Sequence, residues 1–381
     1  MSFQLTEEQE MVRLMARDFA SKELEPVAAQ RDKEEIFPID VVKKMGELGM
    51  LGMMVPDEYG GAGAGAVSYC LALQEIAYSC ASTAVTMSVA NLSTEPLLKF
   101  GDETQKSKYL IKLAQGELLG CFALTEPGAG SDPGSLSITA ENKEDHYLIN
   151  GIKTFITHGQ YADVVNLIAR TGPEKGTKGL SAFIVEKGTP GFSVGSREDK
   201  MGLRASNTVE LLFNDCRVPK ENLLGKLGAG FKIAMVALDS GRIGIASQAL
   251  GITRACLDES IKYAKGRKQF GKSISSFEAI QWMIADMATG IEAANWLIMS
   301  AAWRKDQGLP FTKEASMAKL FASELANKSA YLALQIHGGY GYLKDFKVER
   351  LYRDARATSI YEGTSEIQRL VIARNLLKES T

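Results

Sequence analysis

The stretch HYLINGIKTFIT (146–157) decides the fold, because two apolar runs rich in β-branched and aromatic residues flank Asn150-Gly151. Such runs are typical of strands, and Asn-Gly between them favours a two-residue hairpin. Further segments of this kind follow: ADVVNLIAR (162–170), LSAFIVEK (180–187) and TVELLFNDCRV (208–218). The sequence therefore predicts a β region in the middle of the chain, an antiparallel barrel or a sandwich.

The segments on both sides of this region have the character of helices. Apolar residues recur at helical spacing before it, as in YCLALQEIAYSCASTAVTMSVA (69–90), and after it, as in FEAIQWMIADMATGIEAANWLIMSAAWRKD (277–306). We expect an α+β multidomain chain: an N-terminal α-helical domain (1–118), a middle antiparallel β-barrel (119–225) and a C-terminal four-helix bundle (226–381) of three long helices and a shorter last one. This order differs from the alternation of strands and helices in nucleotide-binding parallel sheets.

The composition excludes several classes of function. The chain has 381 residues, 45% of them hydrophobic and 24% charged, and a formal net charge of −2. It has neither a basic surplus nor a membrane-length apolar run, so we expect neither nucleic acid nor a membrane as a partner. Scattered cysteines and three separated histidines favour reduced thiols and no metal site. Thr6 with Gln9 predicts a helix cap where a signal peptide would lie, so we expect a cytoplasmic protein in a bacterium, or a mitochondrial matrix protein in a eukaryote.

The segment SIYEGTSEIQR (359–369) raises a separate question about two glutamates. Ser365 with Gln368 fits a capping box, so the last helix is expected to start there with Glu366 in its first turn. Glu362 precedes that cap and gains little from it. Two interpretations remain open from the residues alone: a solvated loop carboxylate, or a base aimed into a pocket.

Two glycine-rich segments match phosphate-binding loops in letters only. Gly61, Gly63 and Ala66 fit G-x-G-x-x-A, but they lie in a helical zone and do not follow a strand. The segment LTEPGAGSDPGS (124–135) has Pro133 where a third glycine belongs. Its backbone N–H groups and hydroxyls suit either an ordinary turn cluster or a loop that binds a flat heterocycle or a diphosphate.

Several segments, in their order and spacing, give the chain a specific resemblance. They are CFALTEPGAGSD (121–132), NGIKTFIT (150–157), EDKMGLRASNTVELLFNDCRVP (198–219), GFKIAMVALDSGRIGIASQALG (230–251), RKQFGK (267–272), QIHGGYGYLKDFKVERLYRDA (335–355) and IYEGTSEIQ (360–368). Together they resemble the acyl-CoA dehydrogenase family of flavoproteins over essentially the whole chain, most closely its short-chain, butyryl-CoA branch. The architecture of that family agrees with the zones described above.

The resemblance implies an activity in fatty acid β-oxidation. In this family a carboxylate takes the α-proton of an acyl-CoA thioester, and the β-hydrogen leaves as hydride to N5 of FAD. The motif match makes Glu362 that carboxylate, since Gly241 stands where isovaleryl-type enzymes carry their glutamate. Desolvation would raise the pKa of Glu362. The resemblance further implies an electron-transferring flavoprotein as acceptor and a homotetramer, a dimer of dimers.

The resemblance also implies which residues bind the cofactor and the substrate. The expected FAD contacts are Phe122, Leu124, Thr125, Gly130, Ser131, Phe155, Thr157, Arg267, Phe270, Gln335, Gly339, Thr364 and Glu366. Within this set, Phe155 would pack on the isoalloxazine ring, and Thr157 would bond near N5. The residues expected to reach the adenine and diphosphate half from a neighbouring subunit are Arg267, Phe270, Gln335 and Gly339. The expected substrate contacts are Ser131, Asp239, Arg242 and Gly363.

Four residues depart from the family pattern, and the first is Phe155, where many relatives have tryptophan. Asn91 and Glu95 are polar where butyryl-type members have small or apolar residues in the floor of the acyl pocket. Either they face solvent or cap a helix break at Pro96, or they accompany a branched or alicyclic acyl group. His158 stands where asparagine is usual; either it only caps a turn, or it acts near the flavin edge at which the electron acceptor docks.

Two rival functions use the same fold. An acyl-CoA oxidase-like activity depends on oxygen access, which the sequence does not decide. A non-catalytic member would lack the base or the flavin contacts, and neither is missing from this sequence.

Overall fold

The computed structural model describes residues 4–174 and 176–379. Its N-terminal part is helical, as predicted. The Thr6 side chain accepts a hydrogen bond from Gln9 N, and Thr6 N donates to the Gln9 side chain, so the predicted cap is confirmed. The helices are α1 Glu7–Phe19, α2 Ala28–Glu34, α3 Ile39–Glu47, α4 Gly65–Ser79, α5 Ala81–Phe100, α6 Glu103–Gln105 and α7 Ile111–Gln115.

The C-terminal part is also helical, with one more short helix than predicted. Its helices are α8 Gly230–Gly266, α9 Glu278–Asp306, α10 Thr312–His337, α11 Lys347–Ala357 and α12 Ser365–Glu379. Helix α11 is the additional one, and it forms because Val348, Leu351 and Ala355 recur at helical spacing and are buried together. Among the described residues, no helix combines the length and apolar character needed to cross a bilayer.

The two helical parts share a single hydrophobic core. Helix α8 packs against α4 and α5 from the N-terminal part and against α9 and α10 from its own part. The shared core contains Ala16 and Leu73 together with Ile252 and Ala326. The β region is therefore an insertion between two helical segments that fold against each other.

The middle of the chain forms one eight-stranded sheet in the order β6-β7-β3-β2-β4-β5-β8, with β1 paired to β4. Its strands are β1 Gly120–Ala123, β2 Thr139–Asn142, β3 His146–Thr157, β4 Val164–Arg170, β5 Leu180–Glu186, β6 Phe192–Arg197, β7 Thr208–Pro219 and β8 Leu223–Leu224. The sheet is mixed, because β1 runs parallel to β4. In the described part of the chain β6 and β8 are not paired with each other, so the pairing does not confirm the predicted antiparallel barrel.

The predicted hairpin at Asn150-Gly151 is wrong, because both residues lie inside the single strand β3. The register between β3 and β7 shifts there, as in a β-bulge. A Cβ on Gly151 would lie 2.7 Å from Cγ1 of Ile138, so a glycine is needed where the backbones approach closely. Asn150 exchanges hydrogen bonds with Asp215, which fastens the bulge to β7.

The sheet packs against the helices through a second core. Val164 and Leu180 of the sheet meet Leu97 of α5 and Ile233 of α8 in this core. The side-chain amide of Asn166 donates to Ser93 O at 2.8 Å, which ties β4 to α5. Helix α5 continues through Pro96 to Phe100, so the predicted break at Pro96 is absent. The ends of β1 and β3 are thereby held beside the helices.

Candidate active site

The turn between α11 and α12 holds Glu362 in a backbone conformation that few non-glycine residues adopt. Its φ is 55°, and Gly363 follows with φ 90°. The side-chain amide of Gln368 donates to Glu362 O at 3.0 Å and to Gly363 O at 2.9 Å. The ammonium of Lys319 donates to Gly363 O at 2.7 Å. The strained turn is therefore fixed by side chains from two helices.

The predicted capping box at Ser365 is wrong by one residue. Helix α12 begins at Ser365, and its cap is Thr364, whose hydroxyl accepts from Ile367 N at 3.4 Å. The Gln368 side chain bonds to the turn carbonyls and not to the cap. Glu366 is exposed in the first turn, where its own backbone N–H and then the Thr364 hydroxyl lower its pKa.

The carboxylate of Glu362 points into the protein. Its Oε2 atom is out of contact with solvent and has no hydrogen-bond partner among the described residues. A Cβ on Gly241 would lie 2.9 Å from Cδ of Glu362 and 3.3 Å from Cδ1 of Leu92. Burial raises the pKa of Glu362 to about 7, while the positive charges of Arg242 and Lys319 act in the opposite direction. A carboxylate that titrates near neutral pH is suited to general-base catalysis.

The two substrate-binding residues predicted on α8 form an ion pair beside this turn. Arg242 Nη1 donates to Asp239 Oδ1 at 2.6 Å, and the Thr312 hydroxyl donates to Asp239 Oδ2. Burial raises the pKa of Asp239, and the charge of Arg242 opposes this. Arg242 is buried, with its Nε atom unpartnered among the described residues. It therefore contributes a positive charge close to Glu362.

Two segments predicted to line the flavin are held side by side. Thr154 N donates to Thr125 O at 2.9 Å, which joins the end of β3 to the residues after β1. The ammonium of Lys153, which is fully buried, donates to Leu124 O at 2.7 Å and to Glu126 at 2.9 Å. The structure thus brings together the predicted contacts Phe122, Leu124, Thr125, Phe155 and Thr157.

Phe155 itself projects outward from this junction. Its φ is 58°, and 63% of its surface is exposed. The register between β3 and β7 shifts a second time between Lys153 and Ile156, and this irregularity turns the ring away from the core. Gly130 and Ser131 are exposed in the turn after β1, and a Cβ on Gly130 would meet open space. An aromatic face and open backbone of this kind fit a flat ring ligand.

A second group of predicted FAD residues lies elsewhere, at the other end of α10. A cavity of about 480 Å³ is lined by Arg267 and Gly339, with Tyr263, His337 and Tyr340 among its walls. Lys319 contacts the Glu362 turn, and Gln335 belongs to the second group. At the usual helical rise these two residues lie about 24 Å apart along α10. The structure therefore does not bring this group to the Glu362 turn within one chain.

The two remaining residues of that group lie at the surface near this cavity. Phe270 is 93% exposed at the tip of a hairpin between β9 Lys268–Gln269 and β10 Lys272–Ser273, with φ 50°. Gln335 is exposed on α10. The guanidinium of Arg267 lies 5.5 Å from the centre of the Tyr340 ring. A cation, open glycines and an exposed aromatic ring fit one half of a dinucleotide, and the segments around Phe155 fit its flavin half.

Asn91 and Glu95 of α5 are both buried, so neither of them faces solvent. Asn91 accepts from Met53 N at 3.0 Å and donates to Met50 O and Met87 O, so its amide serves the backbone. Glu95 forms a buried ion pair with Lys305 at 2.8 Å, and Lys305 also donates to the Ser240 hydroxyl.

His158 is fully buried, so it contributes nothing to an exposed docking surface. Its Nδ1 atom lies 3.2 Å from Gly120 O, and its ring meets the edge of Phe37. Burial lowers its pKa to about 4, so it is neutral at physiological pH.

Lys319 is the main residue of this site that sequence reasoning missed. It lies on α10 between Ala315, Ala318 and Ala322, which recur at helical spacing and are all buried. A lone lysine on an otherwise apolar face was the available signal, because a buried ammonium requires a partner. The ion pairs Lys153–Glu126 and Lys305–Glu95 were missed because their members are far apart in sequence.

Known proteins resemble this chain over almost its whole length. Three family models match the chain: the N-terminal domain of acyl-CoA dehydrogenase at 6–117, the middle domain at 121–216 and the C-terminal domain at 228–377. The short-chain specific acyl-CoA dehydrogenase of Rattus norvegicus mitochondria is 53% identical over 99% of this chain and 92% of its own.

Two solved structures share the whole fold. Butyryl-CoA dehydrogenase from Megasphaera elsdenii is 44% identical, with a TM-score of 0.97 over 99% of this chain and 100% of its own. A chain solved in work on the electron transferring flavoprotein of Acidaminococcus fermentans is 50% identical, with a TM-score of 0.98 over the same shares of each chain. The relatives are FAD-dependent enzymes of fatty acid metabolism, and the residues described above fit that cofactor. The chain therefore belongs to the acyl-CoA dehydrogenase family of FAD-dependent oxidoreductases.

Proposed function

We propose that the chain dehydrogenates a short-chain acyl-CoA between Cα and Cβ, with Glu362 as the base that takes the α-proton. The observation that carries this proposal is the buried, unpartnered Oε2 atom of Glu362. The α-proton of a thioester is only weakly acidic, so its removal needs a base that is desolvated and yet ionised at working pH. A pKa of about 7, raised by burial, meets both requirements.

The same turn offers a donor for the charge that develops on the thioester oxygen. The backbone N–H of Glu362 makes no hydrogen bond to another described residue. A backbone donor fixed before the reaction stabilises an oxyanion without reorganisation, and the clamps on the following carbonyls fix this one. Glu362 would therefore act through both its side chain and its main chain.

The residues around Phe155 would hold the flavin ring, and those around Arg267 would hold the diphosphate and adenine of a cofactor bound to a neighbouring subunit. The bound FAD would supply a hydride acceptor for the β-hydrogen. Lys153 positions the first group by fixing Leu124 O and Glu126. Arg267 carries a positive charge into the second cavity, where a diphosphate would need one.

Substitution of the base tests this proposal. We expect Glu362→Gln to retain its FAD and its affinity for acyl-CoA but to lose about 10²–10⁴-fold in the rate of flavin bleaching by butyryl-CoA. Glu103→Gln is the matched control, since that carboxylate is exposed on α6 and pairs with Lys106. Fast bleaching by Glu362→Gln would refute the role assigned to this residue.

The acyl group is proposed to be short, because charged side chains occupy the space near the base. Leu92, which borders the Glu362 carboxylate, and Glu95 are three residues apart on α5 and share one face of the helix. Ser240, next to Gly241, holds the Lys305 partner of Glu95. A long apolar chain extending in this direction would have to desolvate an ion pair.

A panel of thioesters tests the acyl preference. It comprises butyryl-, hexanoyl-, isobutyryl-, isovaleryl-, glutaryl- and cyclohexanecarboxyl-CoA, with turnover followed through a ferrocenium acceptor. We expect butyryl-CoA to be the best substrate. A higher kcat/KM for the isobutyryl, isovaleryl or cyclohexanecarboxyl thioester would instead favour the branched or alicyclic group, and poor turnover of every thioester would contradict the proposal.

We further propose an electron-transferring flavoprotein as the electron acceptor and a homotetramer as the working assembly. The structure solved in work on such a flavoprotein supports the first. The second is supported by exposed aromatic residues on α9 and α10, Trp282, Trp296, Phe321 and Tyr331, and by the separation along α10 between the Glu362 turn and the group around Arg267. Light scattering of the purified protein measures the assembly, and a monomer would contradict it. The proposed location is the cytoplasm in a bacterium or the mitochondrial matrix in a eukaryote, and the name of the rat relative, which is mitochondrial, supports the second.

A further inference from the structure

We propose that Lys319 is a positioning residue for the base: it holds the Glu362–Gly363 turn by a hydrogen bond and keeps the Glu362 carboxylate ionised by its charge. This inference rests on the proposed role of Glu362. It assigns to α10 a part in the reaction beyond packing.

The surroundings of Lys319 show that it is placed for this task. The side chain is fully buried, and its ammonium donates to Gly363 O at 2.7 Å. Among the described residues, no carboxylate lies within ion-pair distance of it. A buried ammonium without an ion-pair partner is costly, so the fold retains a charge that packing alone would not select.

The charges that face the Glu362 carboxylate come from several elements. Arg242 on α8 and Lys319 on α10 are the positive ones, and Tyr69 on α4 and Tyr361 on the turn are neutral phenols that interact with it. Burial lowers the pKa of Lys319 to about 8, while the negative charge of Glu362 opposes this. Each buried charge therefore favours the ionised form of the other.

Two further carboxylates act on Lys319 from outside this pair. Glu366 on α12 and Glu324 on α10 both raise its pKa, less than Glu362 does. Arg242 lowers it. The balance leaves Lys319 protonated at neutral pH, so its charge is available to the base.

Gln368 separates the mechanical role of Lys319 from the electrostatic one. Its amide donates to the same Gly363 O at 2.9 Å and also to Glu362 O at 3.0 Å, but it carries no charge. The turn is therefore still clamped when Lys319 is replaced, whereas the charge beside the carboxylate is lost. Replacing Gln368 loosens the turn and leaves that charge in place.

The test compares Lys319→Gln, which keeps a donor without a charge, with Lys319→Arg, which keeps the charge. The pH dependence of flavin reduction by butyryl-CoA is measured for both, with Gln368→Leu as the matched control. We expect Lys319→Gln to move the rise in rate toward alkaline pH by about one unit or more, as for a carboxylate that loses a nearby positive charge. Lys319→Arg and Gln368→Leu should keep the wild-type midpoint, even where their rates fall.

A spectroscopic measurement tests the effect of Lys319 on the ionisation of Glu362 without turnover. The carboxylic acid band of Glu362 is followed by infrared difference spectroscopy in substrate-free flavoprotein, with Glu362→Gln as the reference. Its titration midpoint should rise in Lys319→Gln and stay in Gln368→Leu. An unshifted midpoint in folded Lys319→Gln, or an equal shift in Gln368→Leu, would overturn the inference. Fast flavin reduction by Glu362→Gln would instead overturn the proposed function itself.

If Lys319→Gln does not fold, Lys319→Met and Lys319→Arg decide the matter by the same spectrum. A midpoint that differs between a neutral and a charged side chain supports the inference. Failure of both neutral variants to fold would show that the charge serves the fold itself, and this would contradict the inference. A Lys319→Arg variant with a midpoint raised as far as that of a neutral variant contradicts it.

Discussion

Gly241 and Glu362 are complementary, because the carboxylate occupies the space that a side chain at position 241 would fill. A Cβ there would lie 2.9 Å from Cδ of Glu362, well inside ordinary contact distance. The glycine lies in the interior of α8, where alanine would otherwise favour the helix. Its presence is explained by the room it leaves for the base.

Gly241→Ala should therefore separate activity from stability. We expect the free energy of unfolding to stay within about 1 kcal/mol of wild type, since the gain in helix propensity offsets part of the clash. The rate of flavin reduction should fall at least tenfold, because the carboxylate must move. Gly266→Ala is the control, since a Cβ at that end of the same helix meets open space. Unchanged flavin reduction in Gly241→Ala would show that the carboxylate has room elsewhere.

Glu362 should destabilise the fold at high pH. Burial raises its pKa to about 7, above its ordinary value, so its contribution to stability is full below the unfolded pKa and is lost as the pH rises through about 7. Glu362→Gln does not ionise, and we expect it to be more stable than wild type near pH 8 by up to about 3 kcal/mol, a difference that vanishes near pH 4. Urea unfolding at both pH values measures this. A gain that is the same at both would mean that ionisation is not the cause.

Removing one partner of the Glu95–Lys305 pair should lower the free energy of unfolding more than removing both. Both side chains are nearly buried, so Lys305→Met leaves an unpaired carboxylate and should cost about 3–5 kcal/mol of unfolding free energy. The double variant with Glu95→Leu should recover most of this loss and accept longer acyl chains relative to butyryl-CoA. Lys22→Met, which breaks an exposed pair with Asp18, should cost less than about 1 kcal/mol. Equal costs for the two single variants would contradict the burial argument.

The Lys153–Glu126 pair should control the retention of FAD. Lys153→Met leaves Glu126 buried without its partner and frees Leu124 O, so the segment that faces the flavin loses its anchor. We expect the purified variant to carry less FAD than wild type, measured by absorbance after gel filtration. Lys108→Met breaks an exposed pair with Glu186 near the same sheet and should retain its FAD. A Lys153→Met variant with full FAD content would refute this positioning role.

The sequence predicted the helical and β zones because their signals are local. Apolar periodicity and β-branched runs report the secondary structure of each segment directly. The Asn150-Gly151 hairpin failed because a glycine in a strand also serves a bulge, and only the approach of Ile138 distinguishes the two. The pattern of residues along the sequence could not show whether the strands close into a barrel, because strand order depends on pairings such as that of β1 with β4.

Site residues that lie in one contiguous motif could be predicted from the sequence. Site residues that only the fold brings together could not. Glu362 lies in a contiguous motif, and the structure buries its carboxylate. Lys319 and Arg242 reach the same carboxylate from two other helices, and no spacing in the sequence relates them to it. Glu95 was recognised as unusual, but its partner Lys305 could be identified only from the fold.

The shared core of the two helical parts sets the order of events during synthesis. Helices α4 and α5 are buried on nearly every side and pack against α8, which the ribosome completes only after the whole sheet. At about 5–20 residues per second, this leaves them without their partner for on the order of ten seconds. Over that interval the nascent chain exposes the helix faces that α8 later buries, and a chaperone would have to shield them from aggregation. Truncation after the sheet should therefore give an aggregating fragment and not a small folded protein.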